Sequence, residues 1–307
     1  MVFALSASLF RLRERAFLAK QRRRLARLDA WHRPAADEAA LLAAVRAKTL
    51  VVAITAGRTG TTFLTHLLAL CPDTTSTHEP EPSFVPVLRL AQRDAALARR
   101  FLVEYKLPFV AAVPTRRYVE TGHLWGKGFL EPLLGLGIAP RVVALRRAPR
   151  RIAASLLSRR TVPGRGKLGL KYLLHPGDPG VLPLPRWTAC SDYQLCFWYA
   201  LEIERRAAAY QPLVARAGGR WVDVTAEELH DADQFLAAAA QLDLLDADTD
   251  RAALRAGHAR IAAVTHNPNA ELVAVADAAL QEDAVWAAVA APELRAAVQA
   301  RFRQHLP

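Results

Sequence analysis

Short, unbroken apolar runs alternate along the chain with longer segments in which apolar residues recur every three or four positions. The runs at 49–55 and 141–145 are typical of strands buried on both faces of a parallel sheet. Such strands, alternating with segments of helical spacing, predict a three-layer α/β domain with a mostly parallel central sheet flanked by helices. Further strands are expected at 74–77, within 116–125 and at 220–224, and helices at 61–70, 83–105, 149–159 and 192–216.

The first 47 residues read as helix with an interruption near Pro34, and arginines are interspersed among their apolar positions. We therefore divide the chain into a basic, amphipathic helical extension at 1–47 and a main α/β domain at 48–307. The apolar run precedes the basic cluster, the reverse of a secretory signal, and is too short to span a bilayer. We expect a helix packed on the main domain with its charged face in water, and the alternative is a helix that docks on a membrane surface or a partner.

The net charge limits the kind of binding partner, and the cysteine content limits the redox state of the compartment in which the protein is expected. A formal net charge of +12 makes an anionic partner expected, and nucleic acid, anionic lipid, a nucleotide or an acidic glycan all satisfy it. Cys71, Cys190 and Cys196 show neither disulfide nor metal-site spacing, which favours packing roles in a reducing compartment. We expect a soluble, cytoplasmic protein, and leave open a peripheral membrane contact through the N-terminal helix.

The stretch "AGRTGTT" follows the first apolar run and precedes a helical segment. Gly57 and Gly60 allow a tight turn, Arg58 adds a positive charge, and Thr61 and Thr62 carry hydroxyl donors. Exposed N–H groups and the dipole at a helix N-terminus favour a bound phosphate or sulfate. The Gly-Lys-Ser/Thr ending of an ATP-binding loop is missing. An ordinary strand–turn–helix junction also fits this stretch taken alone.

The second apolar strand leads into "RRAPRRIAAS", in which Arg147 ends the strand, Pro149 suits a first helical turn, and Ser155 follows two turns later. The guanidinium and the hydroxyl are suited to hold a second phosphate. In order and spacing, both stretches resemble the sulfotransferases that use 3′-phosphoadenosine 5′-phosphosulfate (PAPS). Those proteins carry roughly [KR]-[ST]-G-[TS]-[TS] after one strand and R-x-P-x-x-x-x-x-S after another.

The resemblance implies a P-loop-like fold and assigns roles to both stretches. The run 58–62 (Arg58, Thr59, Gly60, Thr61 and Thr62) would bind the 5′-phosphosulfate, and Arg147 with Ser155 would bind the 3′-phosphate. The resemblance covers about 49–223 in outline and is specific only at these two stretches. It is closest to bacterial and carbohydrate-type members of the family. Ala148 departs from the family, which often has Asp there, at a position that is not a ligand.

Sulfuryl transfer needs a base that accepts the proton of the attacking acceptor. The turn "THEPEP" follows a predicted strand, and the family's segment there often reads E-P with glutamate as base, so Glu79 is the first candidate and His78 the second. A solvated acidic turn is the simpler alternative. Glu120 and His123, with Lys127 nearby, form a third cluster that would line the acceptor site or orient another group, and a structural role fits equally.

Two further segments leave alternatives open. The segment 160–185 is rich in Gly and Pro and predicts a long irregular loop. Its basic residues form a solvated surface or steer an anionic substrate: Arg159, Arg160, Arg165, Lys167 and Lys171. The stretch "THNPN" at 265–269 is a weak candidate to close over a nucleotide.

The combined prediction is a PAPS-dependent sulfotransferase that modifies a hydroxyl or amine of a carbohydrate, lipid or small-molecule acceptor. Arg58 and loop amides would stabilise the leaving oxygen, so no metal is expected. A nucleic-acid partner is not expected either. One alternative is a magnesium-dependent P-loop kinase. Another is a non-enzymatic basic protein that binds nucleic acid or membrane. The acceptor and the oligomeric state are left open.

Overall fold

The computed structural model describes residues 7–31, 37–264 and 273–303. Its centre is a five-stranded sheet in which every neighbouring pair of strands is parallel, as predicted. The strands are β1 (Thr49–Ile54), β2 (Thr74–Thr77), β3 (Arg117–Glu120), β4 (Arg141–Arg146) and β5 (Arg220–Thr225). Their order across the sheet is β2-β3-β1-β4-β5.

Helices connect the strands and cover both faces of the sheet. The longest, besides the N-terminal helix, follows the segment 160–185 and begins with a capping box, in which Ser191 accepts from the Gln194 N–H. The helices are α1 (Ala7–Trp31), α2 (Glu38–Arg46), α3 (Thr61–Leu68), α4 (Leu88–Ala91), α5 (Ala95–Phe101), α6 (Leu107–Ala112), α7 (Leu130–Gly135), α8 (Pro149–Ser158), α9 (Gly166–Tyr172), α10 (Asp192–Arg216), α11 (Ala232–Gln241), α12 (Arg251–Ala262), α13 (Ala278–Val289) and α14 (Pro292–Arg301).

Strand β1 shows why the unbroken apolar run forms the centre of the fold. Leu50 and Val52 pack in the core on one face of the sheet, and Val51 and Ala53 pack in the core on the other. Because successive side chains of a strand point to opposite faces, a strand covered on both sides has no position left for a polar residue. The result is the three-layer α/β architecture that the pattern predicts.

The strand order places a topological switch point at the carboxyl ends of β1 and β4. These two strands are adjacent, but the chain leaves β1 toward β2 on one side and leaves β4 toward β5 on the other. In open parallel sheets, ligands bind in the crevice at such a point. Both anion-binding stretches of the sequence therefore start from the edge of the sheet where a ligand site is expected.

The N-terminal helix α1 packs on the main domain. Leu18 and Leu25 belong to the same core as β1, and the Gln21 side chain donates to the Val85 carbonyl at 2.8 Å. Most of its arginines are exposed, which agrees with the predicted amphipathic packing. Within the described ranges, no helix has the length and apolarity needed to cross a membrane.

Two segments differ from the pattern-based prediction. The stretch 83–105 is divided into α4, α5 and a π-helical turn at Leu102–Lys106, since Asp94 caps a new helix by accepting from the Leu97 N–H. The prediction of an irregular loop throughout 160–185 is wrong, because this segment contains α9. Gly169 makes this packing feasible: a Cβ there would lie 1.8 Å from the Val162 carbonyl oxygen. The stretch 265–269 lies outside the described residues.

The cysteines are free, and two of them fill the interior as expected for packing residues. Cys71 and Cys196 are buried, and Cys190 is partly exposed. Burial raises the pKa of the Cys71 thiol to about 12. A thiol held in its neutral form behaves as a small apolar side chain.

Candidate active site

The loop between β1 and α3 has the backbone of a phosphate cradle. Gly57, Arg58 and Gly60 all have positive φ angles, of 76°, 61° and 96°. Gly60 is the N-cap of α3 and provides no side-chain hydrogen bond to the first turn, so that turn's N–H groups have no capping side chain. Such a turn directs backbone donors toward a bound anion. A left-handed arginine is uncommon, and functional sites are where such residues cluster.

Two buried contacts brace this loop from behind. The Thr55 and Thr59 hydroxyls lie 2.6 Å apart, and the Tyr199 hydroxyl of α10 donates to the Ala56 carbonyl at 2.9 Å. Burial raises the pKa of Tyr199 well above its usual value, so the phenol stays a donor. The loop is therefore held in one shape by hydrogen bonds that the motif itself does not reveal.

The stretches that follow β1 and β4 contact each other directly. Arg58 donates through Nε to the Ser155 hydroxyl of α8 at 3.1 Å. Arg147 donates through Nη1 to the Arg58 carbonyl at 2.7 Å. Pro149 begins α8, as predicted, and Ser155 of the same helix faces the loop. The two sequence motifs form one cationic site centred on Arg58.

The cations of this site repel one another. Burial, together with the nearby charges of Arg159 and Arg147, lowers the pKa of Arg58. The pKa of Arg147 is lowered by burial too, although Glu227 partly opposes this. Neither Arg58 nor Arg147 forms an ion pair with a carboxylate of the described residues. A bound anion would relieve this repulsion, so the electrostatics favour an anionic ligand.

Two cavities open on either side of the loop. The inner cavity, of about 230 Å³, is lined by Gly57, Glu79, His123, Arg159 and Tyr172 among others. The outer cavity, of about 390 Å³, is lined by Gly60, Thr62, Phe63, Ala226 and His230, with His230 stacked on Phe63 at 4.5 Å between ring centroids. Both cavities are lined by Arg58, Thr61 and His78.

Glu79 and His123 meet at the inner cavity. The Glu79 Oε1 atom lies 3.1 Å from His123 Nε2, and Lys127 Nζ contacts His123 Nδ1 and donates to the Tyr172 carbonyl at 2.6 Å. Burial, with Lys127, His78 and Arg58, lowers the pKa of His123 well below its usual value. This favours the neutral imidazole. When its Nδ1 accepts from Lys127, the remaining N–H is on Nε2 and donates a hydrogen bond to the Glu79 carboxylate. This leaves Glu79 a half-buried carboxylate held by a neutral donor.

The backbone at Glu79 is in the left-handed region, and the side chain is closely packed against Gly122. Glu79 has a φ of 48°, a second left-handed non-glycine residue at this site. A Cβ added to Gly122 would lie 2.8 Å from Glu79 Cγ. Glycine at 122 therefore allows the close approach of the turn after β2 to the turn after β3.

The remaining base candidates differ in position. His78 is exposed, lines both cavities and has Nδ1 3.3 Å from the Thr121 hydroxyl. Glu120 lines neither cavity: it is buried, with both oxygens 3.1 Å from Lys106 Nζ. Glu120 thus has a structural ion pair, while His123 and Lys127 of the same cluster belong to the site.

Several residues of the site had no readable signal in the sequence as site residues. Tyr172 lies in the segment predicted as loop and lines the inner cavity. Thr121 follows the end of β3, and its hydroxyl lies 2.6 Å from the Thr65 hydroxyl of α3. The sequence identifies Arg159 only as one of several basic residues, and the structure shows that it lines the inner cavity. The packing of α8 and α9 against the loop places Arg159 and Tyr172 at the inner cavity, and the pairing of β3 with β2 places Thr121 beside His78.

A trio with metal-ligand spacing lies elsewhere, beneath α1. Glu14, His175 and Asp178 are buried with one ligand atom each within 4.8 Å of the others. Asp178 is paired with Arg89, and Glu14 lies 2.8 Å from Arg93. Because an arginine bonds one oxygen of each carboxylate, the trio is part of an ion-pair network that fastens α1 and the segment after α9 to the core.

Glu79, His123, Arg58, Arg147 and Ser155 thus converge from four separate stretches of sequence on one edge of the sheet. Comparison of the chain with models of protein families, with curated proteins and with solved structures finds no match.

Proposed function

We propose that this protein is a sulfotransferase that uses PAPS as its sulfuryl donor. The observation that carries the proposal is the contact of Arg58 with both Ser155 and Arg147 at the switch point of the sheet. It joins the two stretches that resemble the family's two phosphate-binding motifs into a single site for an anion. The neighbouring Glu79 supplies the carboxylate that the transfer requires.

The loop residues would hold the phosphosulfate end of the donor. Arg58 contributes a guanidinium, and Gly60, Thr61 and Thr62 contribute the N–H groups and hydroxyls at the start of α3. Thr59 acts through the loop's shape, since its hydroxyl is bonded to Thr55. These donors would stabilise the negative charge that develops on the bridging oxygen as the bond to sulfur breaks.

Arg147 and Ser155 would hold the second phosphate. Because the Ser155 oxygen accepts from Arg58, its own O–H remains a donor toward an anion. Arg147 uses one terminal nitrogen on the Arg58 carbonyl and keeps its guanidinium at the same end of the sheet. Both side chains therefore act on the donor and on the position of Arg58 together.

PAPS supplies an activated sulfuryl group, and Glu79 would accept the proton of the attacking hydroxyl or amine. The neutral His123 N–H fixes the orientation of the carboxylate without neutralising it. Lys127, held by the Tyr172 carbonyl, fixes the imidazole in turn. The acceptor, a carbohydrate, lipid or small molecule, would place its hydroxyl or amine in the inner cavity beside Glu79.

Calorimetry of the whole protein tests this proposal. Adenosine 3′,5′-bisphosphate without magnesium should bind, and ATP with magnesium should bind at least tenfold more weakly. Tighter binding of magnesium–ATP would overturn the proposal in favour of a kinase. Salt-sensitive binding of DNA that the bisphosphate does not displace, with no bisphosphate binding, would overturn it in favour of a nucleic-acid-binding protein.

A further inference from the structure

A second cationic concavity lies between α1 and α9, away from the loop. This basic cavity has a volume of about 200 Å³. Phe17, Lys20, Gln21 and Arg24 line it from α1, at the i, i+3, i+4, i+7 spacing of a single helix face. Lys167 and Lys171, one helical turn apart on α9, line it from the other side.

The cations of the basic cavity have no counter-ion in the part of the chain that the structure describes. None of Lys20, Arg24, Lys167 and Lys171 forms an ion pair there with a carboxylate. By contrast Arg165, two residues before Lys167, is paired with Asp192. Gathering four like charges around one concavity is unfavourable unless an anion binds between them.

Gln21 gives the cavity a second, independent feature. Its side chain is 4% exposed, and its Nε2 donates to the Val85 carbonyl. Its Oε1 is buried and has no hydrogen-bond partner among the described residues. A buried acceptor without a donor is costly, and a ligand hydroxyl would satisfy it. The cavity therefore matches a group that carries both a negative charge and hydroxyls.

Helix α9 connects the basic cavity with the inner cavity. Lys171 lines the basic cavity and Tyr172, the next residue, lines the inner cavity. The Lys171 ammonium contacts the Tyr172 hydroxyl and lies 4.4 Å from the centroid of its ring. The Tyr172 carbonyl in turn accepts from Lys127 beside His123. A group bound in the basic cavity is thus one residue of α9 away from the wall of the inner cavity.

We propose that the basic cavity binds an anionic, hydroxyl-bearing group of the acceptor, such as a phosphorylated or carboxylated sugar or an anionic polyol headgroup. Its volume is below the ~300–1,000 Å³ of sites for whole drug-sized ligands, so it suits a single such group of a longer molecule. Describing the ligand as the acceptor rests on the proposed sulfotransferase function. The binding of an anionic polyol does not.

Calorimetry with glucose 6-phosphate, and with uncharged glucose as its control, tests the soluble source of this chemistry. Flotation with vesicles of phosphatidylglycerol in phosphatidylcholine tests the lipid source. The cavity variant Lys167→Ala/Lys171→Ala should weaken binding of one of these probes by roughly tenfold or more. The control variant Arg22→Ala/Arg23→Ala removes the same charge from the exposed face of α1 and should leave it unchanged. Gln21→Leu should weaken glucose 6-phosphate binding without a change of charge.

Loss of glucose 6-phosphate binding in the cavity variant alone supports a sugar ligand, and selective loss of vesicle binding supports a lipid headgroup. Equal losses in the cavity and control variants, or no binding of either probe, would overturn the proposal. The affinity for adenosine 3′,5′-bisphosphate should be the same in all these variants. If the wild-type protein failed to bind the bisphosphate, the sulfotransferase function would fall while the result for the basic cavity would stand.

Discussion

Arg146 and Arg147 are adjacent in the chain, yet they lie in two different charged regions. Arg146 is buried in an ion-pair network, with Nη1 2.7 Å from Glu204 and Nη2 2.7 Å from Asp223. Arg147 donates to the Arg58 carbonyl and forms no ion pair with a described carboxylate. The first, the ion-pair region around Arg146, fastens strands and helices together. The second, around Arg58, Arg147 and Glu79, is the proposed ligand-facing region, where the arginine charges are left for an anionic ligand.

The same division separates Arg147 from Arg150, on the other side of Pro149. Arg150 makes two hydrogen bonds of 2.8 Å to Glu282, and these bonds raise its pKa. Burial lowers the pKa of Arg58 and of Arg147, and the charges of Arg159 and Arg147 lower that of Arg58 further. An arginine-rich stretch is therefore not a binding site as a whole. Under the proposed function, the cations that bind the ligand are those left without a carboxylate, and that can be tested.

The largest effect is expected from Glu79, the carboxylate of the ligand-facing region. Glu79→Gln should reduce turnover by about 10²–10⁴-fold, because a general base is lost, and should leave bisphosphate affinity unchanged. The measurement is the rate at which PAPS is converted to adenosine 3′,5′-bisphosphate in the presence of acceptor. Glu81→Gln removes an exposed carboxylate of the same turn and is the matched control. Unchanged turnover in Glu79→Gln would exclude Glu79 as the base.

The next largest effect is on stability and lies in the ion-pair region. Arg146→Ala leaves Glu204 buried without its partner, so the free energy of unfolding should fall by about 3–5 kcal/mol. Urea denaturation measures it. Arg151→Ala removes a mostly exposed partner of Glu227 and should cost no more than about 1 kcal/mol. Equal losses in the two variants would contradict the division between buried and exposed pairs.

The ligand-facing region should show the opposite behaviour. Arg58→Ala should weaken bisphosphate binding by about 10–100-fold, as expected for loss of a charge-assisted hydrogen bond of about 1.5–3 kcal/mol. The free energy of unfolding should stay within about 0.5 kcal/mol, since the removed charge was repelled by its neighbours. Arg150→Ala is the control that should retain affinity. Retained affinity in Arg58→Ala, measured by calorimetry, would contradict the assignment of the loop.

The sequence predicted the parts of the fold that depend on local pattern. Buried strands read as unbroken apolar runs because both of their faces are covered, and Pro149 marks a helix start because its φ suits the first turn. The prediction that Arg58 and Arg147 serve one ligand follows from parallel topology, which brings the ends of β1 and β4 to one edge.

What the sequence could not predict depends on contacts between distant segments. Glu120 and His123 are three residues apart, yet the Glu120 side chain points into the core and pairs with Lys106, while His123 faces Glu79. The pattern does not predict helix α9, because Gly and Pro dominate its surroundings, and its place depends on the close packing of Gly169 on Val162. Side-chain partners of this kind are set by tertiary packing rather than by spacing along the chain.

The smallest expected effect is on the pH dependence of the free energy of unfolding, which should differ between His123 in the ligand-facing region and the buried ion pairs. Since the pKa of folded His123 lies well below 6.5, its unfolded form binds a proton first as the pH falls. Stability is therefore fully present above about pH 6.5 and falls below it, by up to about 1.4 kcal/mol per pH unit, until the folded pKa is reached. His123→Gln should lessen this slope, as measured by urea denaturation from pH 7 to pH 5.

A second buried ion-pair network, formed by Asp178 and Arg89 beneath α1, should respond only in stronger acid. Burial alone would raise the pKa of Asp178, but Arg89 and His175 outweigh it and the pKa is lowered from 3.8. Its contribution is present above pH 3.8 and is lost as the pH falls through the folded value. Asp178→Asn should thus alter the pH dependence of stability below about pH 4 and leave the range from pH 7 to pH 5 unaffected. If His123→Gln left the slope in that upper range unchanged, folding would not lower the pKa of His123, and the imidazole would not stay a neutral donor to Glu79 as the pH falls from 7 to 5.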